Sequence, residues 1–163
     1  MLSWKYNYFQ LFYFEVTMTI RYLWPEADNL LRQYLNDGQV IVVDTETSGL
    51  RPYHGDRIWG VSVYFPHVDT SFYVPVRYEN SFNIDWYGDF LELISRHELI
   101  VFFNAKFDLH MLYADGMRQP DRIEDVMLAA HLLNENEHLS NGNKKKGAYT
   151  LKRLAVKYLG AEA

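Results

Sequence analysis

The sequence predicts a single α/β domain built on a mixed sheet, in which antiparallel and parallel strands occur together. Three observations support this prediction. Three strand-like segments follow one another closely between residues 39 and 76, which favours an antiparallel meander. A helix-like segment then precedes the apolar run 99–103, which favours a parallel crossover. Helical periodicity recurs after that run, up to residue 160.

The length and composition are typical of one globular domain. The chain has 163 residues, of which 48% are hydrophobic and 23% are charged. No uncharged stretch approaches the roughly 18 residues that a membrane-spanning helix needs, which predicts no membrane partner. The lack of cysteine excludes disulfides, thiolate metal sites and cysteine nucleophiles, so a metal would need oxygen or imidazole ligands. Because the net charge is -5, binding to nucleic acid would require a local cluster of basic residues.

Residues 1–17 are interpreted as an N-terminal extension of a domain that spans residues 18–163. The segment is rich in Trp, Tyr and Phe, but it carries Lys5 and Glu15 and lacks a small-residue cleavage site. These features argue against a signal peptide and predict a cytoplasmic protein. Met18 opens a stretch that reads as a natural start, so we expect residues 1–17 to be either unstructured or an extra strand.

A helix and a buried strand are predicted between residues 25 and 43. Pro25 suits a first-turn position and Gly38 suits the position after the last turn, so these residues bound the helix. Gln39–Val43 contains the apolar run VIVV, which is typical of a central strand covered on both faces. The helix is expected to pack on the sheet through Leu30, Leu31, Tyr34 and Leu35.

Two more strands are predicted before residue 77. In Ile58–Phe65, apolar residues alternate with Ser62 and Tyr64, as in a strand with one exposed face. Phe72–Val76 contains Pro75, which has no N–H to donate to a neighbouring strand and therefore predicts a sheet edge. These strands and the central strand are expected to form the three-stranded antiparallel meander.

A helix and a second buried strand are predicted between residues 85 and 103. Asp85 is expected to cap a helix that runs to about Arg96. The apolar run Leu99–Phe103 predicts a strand parallel to the central one. The inward residues of the helix are expected to be Phe90, Leu93 and Ile94.

Three further helices are predicted after the second buried strand. The first covers Lys106–Ala114 and is closed by Gly116. The other two are expected at 125–134 and 150–160. The polar, glycine-bearing segment 134–149 between them is expected to be a mobile loop.

Two carboxylates stand at the carboxyl end of the central strand. Asp44 and Glu46 are two residues apart, so their side chains share one face of the strand and can converge on one point. Such a pair repels itself unless a cation lies between the groups, and hard oxygen ligands select Mg²⁺ or Mn²⁺. Taken alone, the pattern also fits an ordinary junction between a strand and a turn. Asn104 and Asp108 follow the other buried strand, which aims Asp108 toward the same end of the sheet and favours a shared site.

Two motifs resemble those of a known family. VVDTETSGL at 42–50 and FFNAKFDLHML at 102–112 are similar to the first and second motifs of the DEDD superfamily of 3′-5′ exonucleases. They look most like the proofreading domain of family A DNA polymerases. The segments 125–134 and 150–160 resemble the next helices of that domain, so the similarity covers residues 40–160. The resemblance implies a ribonuclease H-like mixed sheet flanked by helices.

The resemblance also implies a metal-dependent nuclease. Asp44 and Glu46 would bind the catalytic divalent metal and Asp108 would support a second one, so Mg²⁺ or Mn²⁺ is the implied cofactor. In a two-metal site, one ion activates the attacking water and both ions stabilise the charge at phosphorus. The implied reaction is hydrolysis of the terminal phosphodiester of DNA, which releases a nucleoside 5′-monophosphate.

Three residues are implied contacts to the 3′ end of single-stranded DNA. Leu50 matches a position where the family places an apolar side chain against terminal bases, Asn104 matches a polar substrate contact, and Thr45 belongs to the same first motif. From the residues alone, Leu50 could equally be a turn residue over the core and Asn104 a strand-end cap. Phe107 is interpreted as a core residue and Asp125 as a helix cap.

Basic residues concentrate near the end of the chain. Such a run is usually solvated surface, but beside a phosphodiester site in an acidic protein it is also a candidate contact to the DNA backbone. The run comprises Lys144, Lys145 and Lys146, with Lys152, Arg153 and Lys157 beyond them.

The third motif of the family, YxxxD or HxxxxD on a later helix, is not found. Tyr158 and Glu162 have the spacing but the wrong acid. His110 and Asp115 have the histidine spacing but lie on the helix of the second motif. The chain is therefore expected to lack the family's last helices, as a fragment of a polymerase, a product of a split gene or a remnant. We expect weak metal binding and low activity alone, with a polymerase polypeptide as the partner that supplies the missing motif.

Three functions are compatible with these observations. The first is a proofreading 3′-5′ exonuclease that acts on DNA beside a polymerase during replication. The second is an exoribonuclease of the same superfamily, since fold and motifs alone do not distinguish DNA from RNA. The third is a noncatalytic module that binds nucleic acid or docks on a polymerase.

Overall fold

The computed structural model of this chain describes residues 21–22, 25–77, 84–133 and 149–160. Several expectations fall outside these residues and stay predictions. They concern the extension at 1–17, most of the loop at 134–149, and the residues Lys144, Lys145, Lys146 and Glu162.

A mixed sheet of six strands runs through the described residues. The strands lie in the order β1-β4-β3-β2-β5-β6. β2, β3 and β4 form the predicted antiparallel meander, whereas β5 pairs in parallel with β2 and β6 pairs in parallel with β5. This arrangement confirms the predicted mixed sheet. The strands are β1 (Arg21–Tyr22), β2 (Val40–Thr47), β3 (Ile58–Phe65), β4 (Thr70–Pro75), β5 (Leu99–Phe102) and β6 (Ile123–Asp125).

Helices cover the sheet on its two faces. The first three contribute side chains to the larger core cluster, and the last two contribute to a second cluster. Val43 lies in the larger cluster and Val42 in the second one, so β2 is buried on both faces, as its apolar run predicted. The helices of the described residues are α1 (Pro25–Asn36), α2 (Tyr87–Ser95), α3 (Ala105–Ala114), α4 (Val126–Leu133) and α5 (Leu151–Leu159).

Most predicted helix boundaries are confirmed. Leu31 and Leu35 of α1 are buried in the larger cluster, and the chain leaves the helix through Gly38 with a φ of +65°. Gly116 follows α3 with a φ of +100°. A positive φ is the backbone conformation that favours glycine directly after a helix, so both residues end their helices for the predicted reason.

The prediction that β3 has one exposed face is wrong. Tyr64, which was expected on that face, is only 4% exposed and lies in the second core cluster. The same cluster contains Val126 and Ala130 of α4 and Leu154 of α5. These two helices cover the face, and the local alternation along β3 contains no information about them.

The prediction that β4 is the edge of the sheet is also wrong. β1 pairs with it in parallel and is the outermost strand. The pairing covers only Phe72 and Tyr73 of β4. Pro75 lies beyond it, opposite Gly60 of β3, so its missing N–H removes no hydrogen bond from the contact with β1.

Two further local expectations differ from the structure. Asp85 does not cap α2, because the helix begins at Tyr87 after Trp86, with no capping bond from a side chain. Trp86 is buried and its indole N–H donates to Asp28 Oδ1 at 2.6 Å, which anchors the chain ahead of the helix. β6 was not predicted, since three residues of sequence IED carry no recognisable strand pattern. None of the described helices is long and apolar enough to cross a membrane.

Candidate active site

The first candidate residues lie inside the central strand. β2 extends to Thr47, and its register with β3 shifts between Glu46 and Thr47. Asp44 is partly buried and Glu46 is exposed, whereas Thr45 between them is buried. Alternation along the strand therefore directs the two carboxylates to one face and Thr45 to the other, against α3.

Asp108 reaches the same end of the sheet from the first turn of α3. Its side chain is only 2% exposed. The backbone N–H of Thr45 donates to Asp108 Oδ1 at 3.1 Å, and the Thr45 hydroxyl donates to the same oxygen at 2.7 Å. These two bonds join β2 to α3 across 63 residues of sequence. The hydroxyl of Thr45 thus has a protein partner, and the expected contact of Thr45 with substrate stays a prediction.

Two of the three candidate carboxyls have raised pKa values. Burial raises the pKa of Asp44 to about 6, and repulsion from Glu46 acts in the same direction. Burial likewise raises the pKa of Asp108 to about 7; the Thr45 hydrogen bonds lower it, and the charge of Asp44 raises it. Asp44 and Asp108 therefore interact electrostatically, and without a nearby cation the ionised form of each carboxyl is disfavoured.

The donor chemistry of this pair fits a hard divalent cation. Carboxylate oxygens are the ligands that Mg²⁺ and Mn²⁺ prefer, and a cation would favour the charged forms that burial disfavours. In the part of the chain that the structure describes, however, no three His, Asp or Glu side chains converge closely enough to hold a metal. A shared site of Asp44, Glu46 and Asp108 stays a prediction.

Asp125 braces the turn that starts α3. Its carboxylate accepts hydrogen bonds from the backbone N–H groups of Met127 and Leu128, so it caps α4, as predicted. It also accepts from the N–H groups of Asn104 at 3.0 Å and Ala105 at 2.9 Å. Asn104 has a φ of +68° and makes no side-chain cap bond, so the turn depends on Asp125 and the strand-end-cap interpretation of Asn104 is not supported. Sequence reasoning did not reveal this second role of Asp125.

Leu50 projects from an ordered loop after β2. The N–H of Ser48 donates to the Arg57 carbonyl at 2.9 Å, and the N–H of Arg57 donates to Ser48 Oγ at 2.9 Å, which closes the loop. Gly49 packs against Asp56, and a Cβ at Gly49 would lie 2.6 Å from Asp56 Oδ1. Leu50 itself is 79% exposed. It is therefore not a turn residue that covers the core.

A cleft of about 330 Å³ lies between this loop and α3. Leu50 and Asn104, two of the implied substrate contacts, line it on opposite sides. Phe107 packs against the core and also lines the cleft, so its interpretation as a purely internal residue is incomplete. The remaining lining residues are Pro52, Tyr53, Lys106 and His110.

The other spaced pairs in the sequence do not form a third-motif site within the described residues. Asp115 accepts hydrogen bonds from Arg77 Nη1 at 2.7 Å and from the Tyr87 hydroxyl at 2.9 Å, so it has partners other than His110. Tyr158 packs against the second core cluster on α5. Lys152 and Arg153 are exposed on the same helix, and the run Lys144–Lys146 lies outside the described residues.

Comparison with known proteins identifies relatives of this chain. A 3′-5′ exonuclease family matches residues 25–163. DNA polymerase DpoZ of Acinetobacter phage SH-Ab 15497 is 38% identical over 120 residues, which are 73% of this chain and 17% of the relative. DNA polymerase I of Borreliella burgdorferi is 30% identical over 137 residues, 82% of this chain and 14% of the relative. The chain thus spans about a sixth of the length of these polymerases.

Solved structures show the same fold at low sequence identity. Escherichia coli RNase D, an exoribonuclease, matches with a TM-score of 0.58 and 12% identity, covering 90% of this chain and 35% of that one. The RNase domain of the yeast Pop2 protein matches with a TM-score of 0.54 and 12% identity, covering 85% of this chain and 75% of that one. These likenesses confirm the ribonuclease H-like mixed sheet that the motifs implied.

Proposed function

The chain belongs to the 3′-5′ exonuclease family of family A DNA polymerases, and from this membership we propose that it removes nucleotides from the 3′ end of single-stranded DNA. The relatives that support DNA as the substrate are DNA polymerases. Because the chain corresponds to only 17% and 14% of two of them, we propose that it acts with a polymerase polypeptide, as a proofreading domain does.

The observation that carries this proposal is the connection between Asp108 and the Asp44 strand. Thr45 donates two hydrogen bonds to Asp108, and the charge of Asp44 raises the pKa of Asp108; both observations support a site that combines an acid of α3 with the acids of β2. In open α/β sheets, ligands bind at that end of the strands. The cleft that contains Leu50 and Asn104 adjoins the same strand ends.

In the proposed reaction, a water oxygen attacks the terminal phosphorus and the bond from phosphorus to the 3′ oxygen breaks. The products are a nucleoside 5′-monophosphate and a strand with a new 3′ hydroxyl. Asp44 and Asp108 would hold a divalent cation, with Glu46 as a further candidate ligand. When bound, the cation would supply Lewis-acid stabilisation of the charge that develops on the phosphate. Leu50 and Asn104 would hold the terminal nucleotide, which keeps its phosphodiester next to the carboxylates.

Single-turnover digestion of 5′-labelled single strands, with the protein in excess and Mg²⁺ or Mn²⁺ present, tests this proposal. We expect DNA to shorten from its 3′ end, slowly for this chain alone. Asp44→Asn and Asp108→Asn should each lower the rate by roughly 100-fold or more, since each removes charge that stabilises the transition state. Asp121→Asn, at an exposed position outside the site, is the matched control.

Three results would contradict the proposal. Faster digestion of an RNA strand of the same sequence would identify an exoribonuclease. Binding without any digestion would identify a noncatalytic module. Digestion that persists in Asp44→Asn and Asp108→Asn would place the reaction at other residues.

A further inference from the structure

An aromatic pair in the lining of the cleft joins the loop to α3 and is not used by the proposed hydrolysis. Tyr53 belongs to a single 3₁₀ turn, Pro52–His54, in the loop after β2. His110 is exposed on α3. The two rings meet edge to face, with centroids 5.7 Å apart and planes at 75°. An edge-to-face contact with a single ring covers at most one face of the Tyr53 ring, so ring surface stays accessible.

The Tyr53 ring is positioned by an ordered turn and by its contact with His110. Its 3₁₀ turn ends at Gly55, and Asp56 Oδ2 accepts the N–H of Arg51 at 2.8 Å. Despite this ordered backbone, Tyr53 is 63% exposed. An ordered and exposed aromatic ring loses little conformational freedom when a ligand stacks on it, which favours binding.

The composition of the cleft suits an unpaired nucleotide. Leu50, Tyr53 and Phe107 supply apolar and aromatic surface. Lys106 lies one helical turn before His110 and brings a positive charge to the same cleft. None of the described residues that line the cleft is acidic, although the whole chain carries a net charge of -5. Aromatic surface combined with a local cation is the pattern that binds single strands, through base stacking and phosphate contact.

We propose that Tyr53 is a stacking platform for an unpaired base near the 3′ end of a single strand, with His110 as the residue that positions its ring and Lys106 as a backbone phosphate contact. This inference deepens the proposed function and rests on it, because it assigns part of the same substrate. It extends the substrate contact beyond Leu50 and Asn104 to Tyr53 and Lys106 in the lining of the same cleft.

Equilibrium binding without divalent metal tests the stacking contact. The probe is a 5′-fluorescein oligo(dT) single strand, whose fluorescence anisotropy is followed as the full chain is added in EDTA. We expect Tyr53→Ala to weaken binding about fivefold or more and Tyr53→Phe to bind like the parent, because the ring makes the contact. His54→Ala, in the same 3₁₀ turn but outside the cleft lining, should also bind like the parent. Melting temperatures of all variants exclude misfolding as the cause.

A second strand, abasic at its three terminal 3′ positions, separates base stacking from other contacts. On this strand Tyr53→Ala should bind like the parent. His110→Ala should weaken binding to the ordinary strand, and adding it to Tyr53→Ala should change little further, because His110 acts through the Tyr53 ring. The logarithm of the affinity falls as the logarithm of the salt concentration rises. Lys106→Gln should make this slope less steep by about 0.7. Arg118→Gln, which removes an exposed cation outside the cleft, should leave the slope unchanged.

Equal binding by Tyr53→Ala and the parent would overturn the inference, and so would an equal loss on the ordinary and abasic strands. No measurable binding by the parent would overturn it as well. These outcomes are separate from the hydrolysis test. Digestion that depends on Asp108, with no effect of Tyr53→Ala, would leave the exonuclease proposal standing and remove only this contact. Base-dependent binding without digestion would support the subsite and remove the exonuclease proposal.

Discussion

Asp108 illustrates how a single buried acid can be retained in this fold. A carboxylate without hydrogen-bond partners would be strongly disfavoured at 2% exposure. Thr45 supplies two donors to one oxygen, and both bonds lower the pKa of Asp108 against the larger effect of burial. Thr45 is therefore a positioning residue for an acid of the candidate site, a role that its place in the DTE motif did not suggest.

Thr45→Val tests this role at the residue scale. The substitution keeps the shape and the backbone N–H but removes the hydroxyl that donates at 2.7 Å. We expect the pKa of Asp108 to rise further and the free energy of unfolding to fall by about 1–3 kcal/mol, since a buried acceptor loses a partner. Urea denaturation measures the stability and NMR titration measures the pKa. Thr45→Ser retains the hydroxyl and should stay near the parent; an equal loss in both variants would assign the effect to packing.

At the scale of elements, α3 depends on a residue from a neighbouring strand. Asp125 ends β6, caps α4 and holds the left-handed turn at Asn104 that begins α3. The helix that carries Asp108 thus starts at a position set by a carboxylate 21 residues away from Asn104. The sequence revealed the cap, because a helix cap is a local pattern, but it did not reveal the contact with the other turn.

Asp125→Ala should affect both helices. Four backbone N–H groups lose their acceptor, so we expect the free energy of unfolding to fall by at least about 2 kcal/mol, more than the loss of one ordinary cap. Hydrogen exchange should accelerate at Ala105 as well as at Met127. Asp121→Ala, at an exposed position just before β6, is the control. Faster exchange in α4 alone would show that the contact with the Asn104 turn contributes nothing.

At the scale of the whole molecule, the candidate site opposes folding near neutral pH. Asp44 and Asp108 have raised pKa values in the folded protein, about 6 and about 7, so the folded state binds protons more tightly than the unfolded state. Their contribution to stability is complete below the unfolded pKa near 4 and is lost as the pH rises through about 6 to 7. Buried His97 has the opposite effect, because burial lowers its pKa and its contribution is lost as the pH falls.

In the absence of divalent metal, the melting temperature should therefore fall as the pH rises from about 5 to about 8. At the higher pH, millimolar Mg²⁺ should raise the melting temperature by several degrees, since a ligand that binds only the folded state stabilises it. Asp108→Asn should show a smaller fall and a smaller response to Mg²⁺. His97→Leu should leave both responses in place and remove the opposing loss at low pH. Identical profiles for the parent and Asp108→Asn would contradict this linkage.

The sequence by itself determined the mixed sheet, most helix bounds and the candidate acids. Periodicity, glycine at helix ends and short motifs are local signals, because they depend on residues within one or two turns of each other. Only the tertiary structure decided that Tyr64 is buried, that β1 pairs outside β4, that Thr45 holds Asp108, and that Tyr53 meets His110. In each case the partner is distant in the sequence, and burial and hydrogen bonding depend on which surfaces the folded chain brings together.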